Sequence, residues 1–306
     1  MVSCLIKKLD QENTTNMETN KVLDGKLLSN LIKEQLKVLL KEMVEDFLEA
    51  PCLAIVTVGE DPASKVYVNN KKKACEYIGI TCKHITLPSQ ATQTALIEEV
   101  QRLNEAADVH GIIVQLPLPS HILEQEVLQH ISPEKDVDGF TAQNLGALLK
   151  REEGLKSCTP MGVMDLLRFY DIPIAGKQAV VIGRSVQVGK PMAQLLLDED
   201  ATVTICHSRT PESELKRHIQ NADIIVSAVG KAHFITDAAL FKPSAVIVDI
   251  GINRDQDNKL CGDIHPDCYA AVSAYTPVPG GVGPMTVATL MSNLFDAYFE
   301  LKMKGK

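Results

Sequence analysis

The sequence predicts an α/β protein built as two α/β domains with a cleft between them, the second a doubly wound parallel sheet. Two observations carry this. Short β-branched runs of the buried-strand type alternate along the chain with amphipathic helical runs, the pattern of parallel sheets. A chain of 306 residues with 45% hydrophobic content is also long enough and apolar enough for two cores.

The elements follow in order. Residues 1–20 are polar, hold Asp10, Glu12 and Glu18 and contain no arginine, so they are expected to form a flexible extension and not a signal peptide or presequence. Asp24 reads as an N-cap, and Leu28, Leu31, Ile32, Leu36, Leu39, Leu40, Met43 and Phe47 follow at helical spacing, so a helix is expected over 25–49, stopped by Pro51. Residues 53–58 read as a buried strand, and Asp61-Pro62 as the N-cap and first residue of the next helix. A helix over 94–103 and a strand over 111–114 come next, the strand running into Gln115-Leu116-Pro117-Leu118-Pro119. A helix from Thr159 to about Tyr170 leads to strands at 178–182, 201–206, 223–229 and 245–250. Residues 276–286 are too rich in glycine and proline for regular structure and read as a shaped loop, followed by a helix over 285–303. The domains are therefore placed at 21–157, completed by the C-terminal helix 285–306, and at 158–284.

Composition excludes several classes. The net charge of −8 argues against a nucleic-acid or membrane-surface partner. Tryptophan is absent and aromatics are 4%, which leaves no stacking platform for single strands. The eight cysteines form no C-x-x-C, and the eight histidines form no H-x-x-x-H, so no metal is expected and the thiols read as reduced, in a cytoplasmic setting. No run of 18 apolar residues marks a membrane span.

The chain is organised around residues 178–197. A β-branched run ends at Gly183; Gly189 and Pro191 then open an apolar helical run. Strand, glycine turn and helix leave free N–H groups at a helix N-terminus, which attracts phosphate. The spacing is not G-x-G-x-x-G, since Ser185 and Val188 replace the later glycines, and a purely structural βα turn stays open as the alternative. The next strand ends in His207-Ser208-Arg209, where an NAD site would place an acid on the ribose. With Arg184, this hydroxyl and guanidinium set suits a 2′-phosphate, hence NADP; a solvated strand end is the alternative.

Other candidate groups lie earlier. Tyr67 and Lys71 are i, i+4 on one helix face, where a partly desolvated lysine beside a tyrosine can shuttle protons; a solvated run Lys71-Lys72-Lys73 is the alternative. Gln115 and Pro117 stand at the C-terminal edge of a strand, where open α/β sheets bind ligands. Asp136 and Asp138 could together hold a metal or a cationic ring, or simply form a turn ending at Gly139.

These pieces, in this order, resemble the bifunctional methylenetetrahydrofolate dehydrogenase/methenyltetrahydrofolate cyclohydrolase family. The resemblance covers about residues 21–303 and rests on the stretch from Val58-Gly59-Glu60-Asp61-Pro62 to Lys73, on Val114-Gln115-Leu116-Pro117-Leu118-Pro119, on Lys135-Asp136-Val137-Asp138-Gly139-Phe140, on Gly183-Arg184-Ser185 with Val188-Gly189-Lys190-Pro191, and on the 276–286 loop. It implies a Rossmann-like second domain and a homodimer active in one-carbon metabolism. The implied chemistry is NADP-dependent oxidation of 5,10-methylenetetrahydrofolate, then hydrolysis of the methenyl product to 10-formyltetrahydrofolate. The resemblance implies that Lys71 transfers the proton in the second step, with Tyr67 beside it and Gln115 holding it. Asp138 would accept the pterin edge, with Ser64 and Pro117 also on the folate. Gly183, Arg184, Ser185 and Ser208 would hold NADP, and Ile252 and Thr286 would line its nicotinamide side. One departure is Ser157, where the family usually has proline before Cys158-Thr159-Pro160. A monofunctional dehydrogenase, another two-domain NADP dehydrogenase of amino-acid or shikimate type, and a catalytically dead paralogue are the competing readings; the last two have no need of Lys71, Gln115 and Asp138 together.

Overall fold

The computed structural model describes residues 22–45 and 49–304; the expected extension at 1–20 and Phe47 lie outside the described residues. The elements run α1 (Gly25–Glu45), β1 (Cys52–Val58), α2 (Pro62–Ile78), β2 (Thr81–Leu87), α3 (Gln93–Glu105), β3 (Gly111–Val114), α4 (Glu124–Leu128), α5 (Ala142–Lys150), α6 (Cys158–Phe169), β4 (Gln178–Ile182), α7 (Gly189–Asp198), β5 (Thr202–Cys206), α8 (Glu212–Asn221), β6 (Ile224–Ser227), β7 (Val246–Asp249), β8 (Asn253–Arg254), β9 (Leu260–Cys261), β10 (Ala274–Tyr275) and α9 (Val282–Lys304). The chain divides into two compact units. One holds Asn30–Cys158 and the chain from Val287; the other holds 22–29 and Thr159–Thr286. Residues 22–29, expected with the first domain, cluster with the second because Leu23 N donates to Tyr275 O at 2.8 Å and Lys26 N to Gly280 O at 2.9 Å. Among the described residues no helix is long and apolar enough to cross a membrane.

The first unit is built on a parallel sheet of order β2-β1-β3. Its central strand β1 is buried along its whole length, as a strand covered on both faces must be. Cys52, Ala54, Val56 and Val58 pack with Ile112 and Val114 against Leu96, Val100 and Leu103 of α3. On the opposite face, a Cβ at Gly111 would lie 2.7 Å from Leu294 of α9, so that helix sits directly on β3. Strand β2 had no clear signal in the sequence because it is an edge strand: its residues are only partly covered, and Lys83 and His84 interrupt it. The free side of β3 is lined by the 135–136 segment, where Ile112 N donates to Lys135 O at 2.7 Å.

The second unit is a parallel sheet of order β10-β7-β6-β4-β5, with β8 and β9 as a small antiparallel pair. From β4 the chain goes outward to β5 and then returns to β6 on β4's other side. The order therefore reverses at β4, which makes the C-terminal ends of β4 and β6 the expected ligand crevice. The loop expected over 276–286 is shorter: α9 starts at Val282, and Gly283-Pro284 fall in its first turn, where a proline lacks nothing by having no N–H.

One buried histidine makes the first unit's stability pH-dependent. His110 is 3% exposed, its Nδ1 accepts the Cys52 N–H at 3.1 Å, and its ring meets Tyr298 edge-on at 4.8 Å. Burial, with the nearby Lys302 and Lys135 charges, pushes its pKa down to about 4. The unfolded chain takes up the proton near pH 6.5 while the folded one does not, so stability is lost as pH falls from there towards 4, by about 3 kcal/mol at most. Urea unfolding of His110→Asn, whose amide oxygen can still accept the Cys52 N–H, should show a shallower loss between pH 7 and 5 than the parent. Parallel pH profiles would mean that His110 is not the group responsible.

Candidate active site

In the first unit the site is assembled at the C-terminal ends of β1 and β3. Helix α2 starts where the chain dictates: Asp61 is extended (φ −64°, ψ 126°), its carboxylate accepts the Ser64 N–H at 2.7 Å, and Pro62 follows. It ends at Gly79, whose φ of 98° is the left-handed conformation of a C-terminal cap. That framing puts Ser64, Tyr67 and Lys71 along one side. Lys71 is 9% exposed and its Nζ donates to Gln115 Oε1 at 3.1 Å. The amide's other end is fixed too, since Gln115 Nε2 donates to Leu116 O at 2.7 Å, so the carbonyl oxygen faces the lysine. Ser64 Oγ donates to the same Leu116 O at 3.4 Å. Of the lysine run, Lys73 is solvated and Lys72 Nζ meets His84 Nδ1 at 2.7 Å; Lys71 alone is buried. Tyr67 keeps 39% exposure, and burial of the rest of the ring pushes its hydroxyl pKa up. A cavity of about 130 Å³ adjoins Ser64, Gln115 and Pro117 and is also lined by Thr57, His84 and Thr86.

The two carboxylates of the 135–139 loop have different jobs. Asp136 is 1% exposed and accepts the N–H groups of Gly139 at 3.0 Å and Thr141 at 2.7 Å and the Asn144 Nδ2 at 3.0 Å. It is committed to the turn, so the paired-carboxylate alternative does not hold. Asp138 is half-buried; burial raises its pKa, and the neighbouring Lys71 charge pulls it back down. Gly139, at φ 70°, has no room for a Cβ, which would come within 2.6 Å of the Lys156 backbone. Ser157 is 1% exposed and its hydroxyl donates to Gly139 O at 3.3 Å, so the departure from the family's proline adds a tie to the Asp138 loop.

In the second unit, Gly183 leaves β4 with φ 137°, and a Cβ there would lie 2.5 Å from Ala228 O. Gly189 is packed against the Gly183 carbonyl. These two contacts bring α7's N-terminus onto the strand ends, the close approach that glycine alone allows. Ser185 Oγ accepts the N–H groups of Val188 at 3.1 Å and Gly189 at 3.2 Å. The hydroxyl thereby caps the helix start and keeps its own proton to donate. Beside it, Gly183 N donates to Cys206 O at 2.9 Å, which brings the 207–210 turn next to the glycine loop. That turn is held by His207 N on Thr210 Oγ1 at 2.9 Å and Arg209 N on His207 Nδ1 at 3.1 Å, and it presents Ser208 and Arg209 to solvent, as Arg184 is presented from the neighbouring loop. Ile252 is 46% exposed and lies 3.6 Å from where a Cβ of Gly283 would stand. Thr286 Oγ1 and Thr159 Oγ1 share a hydrogen bond of 3.0 Å.

Sequence reasoning missed what holds the ends of β6 and β7. Asp263, fully buried, accepts the Ser227 hydroxyl at 3.0 Å, the N–H groups of Val229 at 2.6 Å and Lys231 at 2.9 Å, and Asn253 Nδ2 at 2.9 Å. Asp249, 1% exposed, accepts N–H groups from Gly251, Asp263 and Ile264, and burial raises its pKa to about 6. Gly251 and Gly262 are the available signal: their absent Cβ atoms leave the space that the Asp263 and Asp249 carboxylates fill.

Comparison with known proteins agrees with this geometry. Residues 23–138 match the model of the tetrahydrofolate dehydrogenase/cyclohydrolase catalytic domain, and residues 157–302 match that of its NAD(P)-binding domain. The bifunctional protein FolD of Agathobacter rectalis is 49% identical over 277 residues, 90% of this chain and 98% of the relative. The crystal structure of the bifunctional FolD methylenetetrahydrofolate dehydrogenase/cyclohydrolase from Campylobacter jejuni superposes with a TM-score of 0.88 at 43% identity, covering 91% of this chain and 98% of that one. The Trypanosoma brucei dehydrogenase-cyclohydrolase, solved with NADP and an inhibitor, gives 0.85 at 36% identity over 91% and 97%. The two halves of the chain, each with its own parallel sheet and its own cluster of polar groups at the strand ends, thus belong to the tetrahydrofolate dehydrogenase/cyclohydrolase family.

Proposed function

We propose that this chain oxidises 5,10-methylenetetrahydrofolate to 5,10-methenyltetrahydrofolate with NADP and then hydrolyses that product to 10-formyltetrahydrofolate. The observation that carries the double activity is the buried Lys71 Nζ held on the Gln115 carbonyl at 3.1 Å. A dehydrogenase alone has little use for a positioned amine, because hydride transfer depends on holding the two reacting carbons roughly 3–3.5 Å apart and not on moving a proton. Hydrolysis of the methenyl cation does need a proton carrier, which favours the bifunctional reading over the monofunctional one.

The residues of the second unit fit NADP. The close backbone approach at Gly183 and Gly189 and the proton that Ser185 Oγ still has to donate suit a pyrophosphate, and the strand end that would carry an acid in an NAD site carries Ser208 and Arg209 instead. Among the described residues, neither Arg184 nor Arg209 spends its guanidinium on an ion pair with an acid. Ile252 and Thr286 are assigned to the nicotinamide side. When bound, NADP supplies the hydride acceptor for the first step.

In the first unit Asp138 is assigned to the pterin. Its carboxylate can accept both N–H groups of an aminopyrimidinone edge, which fixes the ring's orientation. Ser64 and Pro117 shape the same end of the site. Gln115 holds the Lys71 ammonium in one place, with Tyr67 one turn before it on α2, so that it can give a proton to the departing ring nitrogen and be restored by the proton that the attacking water releases. We also assign the protein to a reducing, cytoplasmic compartment and to a homodimer. The compartment is supported by Cys52, Cys75, Cys82, Cys158, Cys206, Cys261 and Cys268, all free thiols. The dimer is supported by the family resemblance.

Three variants test these assignments. Lys71→Met keeps the length and removes the proton carrier; cyclohydrolase turnover should fall about 10²–10⁴-fold while dehydrogenase activity falls far less, so methenyltetrahydrofolate accumulates in a coupled assay. Parallel loss of both activities, with folding and NADP binding intact, would make Lys71 a substrate-positioning group. Asp138→Asn replaces an acceptor with a donor. It should lower kcat/KM for folate in both reactions and leave NADP binding unchanged; unaltered folate kinetics would reduce Asp138 to a turn residue. Arg184→Ala should weaken NADP by about 1.5–3 kcal/mol, the scale of a hydrogen bond to a charged group, and barely change NAD. Equal losses for the two cofactors in steady-state kinetics would refute the 2′-phosphate assignment.

A further inference from the structure

Helix α2 carries one more reactive group on the turn after Lys71. Cys75 is 1% exposed and its Sγ lies 3.8 Å from Met291 Sδ. The chain reverses directly over it: Gly79 N and Ile80 N both donate to Cys75 O, at 2.8 and 2.9 Å, and the strand that begins at Thr81 runs back beside the helix. In that strand Cys82 pairs with Leu53, and the next residue on the same face, His84, pairs with Ile55 and meets Lys72 Nζ of α2 at 2.7 Å. Cys82 therefore faces α2 on the side of the sheet away from α3, and as His84 stands opposite Lys72, Cys82, two residues earlier, stands opposite Cys75, one turn later. Cys82 is half-buried on an edge strand, so reagents reach it, while Cys75 behind it is sealed.

We propose that Cys75 and Cys82 form a reversible dithiol–disulfide pair, oxidised by hydrogen peroxide through Cys82, whose closure strains the helix that carries Tyr67 and Lys71. The electrostatics agree in direction: the neighbouring Cys75 thiol and the Lys72 charge pull the Cys82 pKa down against burial, while Cys82 and burial push that of Cys75 up. The Cys82 thiolate attacks one peroxide oxygen, the O–O bond breaks, and the leaving hydroxide takes up a proton to become water. Cys82 is then a sulfenic acid. The Cys75 sulfur attacks the Cys82 sulfur, the S–O bond breaks, and the thiol proton leaves with the hydroxyl as the second water. Each sulfur loses one electron and peroxide gains two. The effect on activity rests on the role proposed for Lys71; the cross-link itself does not.

The test uses the full-length protein, freed of reductant and treated with hydrogen peroxide at pH 7, then digested without reduction and read by mass spectrometry. The expected product is a Cys75–Cys82 cross-link, two hydrogens lighter than the dithiol and reversed by dithiothreitol. Cys82→Ser should abolish it. Cys75→Ser should leave a Cys82 sulfenic acid that dimedone traps. Iodoacetamide at pH 7 should label Cys82 about ten-fold faster than Cys206. Equal labelling rates, or peroxide products that lack this cross-link, would overturn the pair. Cyclohydrolase turnover should fall several-fold on oxidation, recover with dithiothreitol, and stay unaffected by peroxide in Cys82→Ser. A cross-link that forms with unchanged turnover would overturn the coupling to Lys71, whereas a cross-link in a protein with no folate activity in either state would overturn the proposed function and leave the thiol pair standing.

Discussion

A central parallel strand donates and accepts evenly along its length and is covered on both faces, and both units of this chain are built around such strands. Strand β1 is buried at every residue, with α3 on one side and α2 and α9 on the other; β6 is buried throughout and β4 from Ala179 on. Polar side chains along β1 and β6 are confined to their C-terminal ends, at Thr57 and Ser227, and each is hydrogen-bonded. Chemistry is pushed to where the strands stop, and Gln115, Gly183 and Ser208 all stand just beyond a C-terminal strand end. A helix follows each strand of the first sheet and β4 and β5 of the second, so helix starts arrive at the same edge, where Asp61 and Ser185 take up their first N–H groups.

Buried carboxylates do much of the shaping at those edges. Asp136, Asp249 and Asp263 are each at most 1% exposed, and each accepts backbone N–H groups from its own loop or a neighbouring one. Bonds of this charge-assisted kind offset the cost of burying the charge, and they leave the donors with one arrangement. Asp263 alone joins the ends of β6 and β7 by holding Val229, Lys231 and Asn253. Asp138 differs because its loop partner, Asp136, already satisfies the turn. Asp138 makes none of those turn bonds and stands near the positive Lys71.

Helix α2 concentrates the first unit's reactivity. Its sequence places Ser64, Tyr67, Lys71 and Cys75 within successive turns of one element, and both of its ends are fixed, by the Asp61 carboxylate and by Gly79. Any group that moves this helix moves the amine relative to Gln115. A thiol one turn beyond Lys71 is therefore placed to influence the reaction that needs a proton carrier more than the one that needs only alignment.

Much of this could be read from the sequence, for identifiable reasons. Fully buried strands announce themselves as β-branched runs, and the runs at 111–114 and 178–182 coincide with β3 and β4 to the residue. N-cap and C-cap chemistry is local, so Asp61-Pro62 marked the start of α2. The absence of an acid after β5 is also a local fact, and so is the pairing of Tyr67 with Lys71 on a helix. Other features are decided only by distant packing. Edge strand β2 has no apolar alternation, because its cover is partial. Which of three adjacent lysines is buried depends on Gln115, 44 residues away. Which of two aspartates in the 135–139 loop is spent on the backbone depends on Thr141 and Asn144 folding back over it. The Asp249 and Asp263 knot joins segments that share no local pattern. Sequence periodicity reports which face of an element meets the core; which polar group finds a partner is decided by tertiary structure, because a hydrogen bond is made or lost within a few tenths of an ångström.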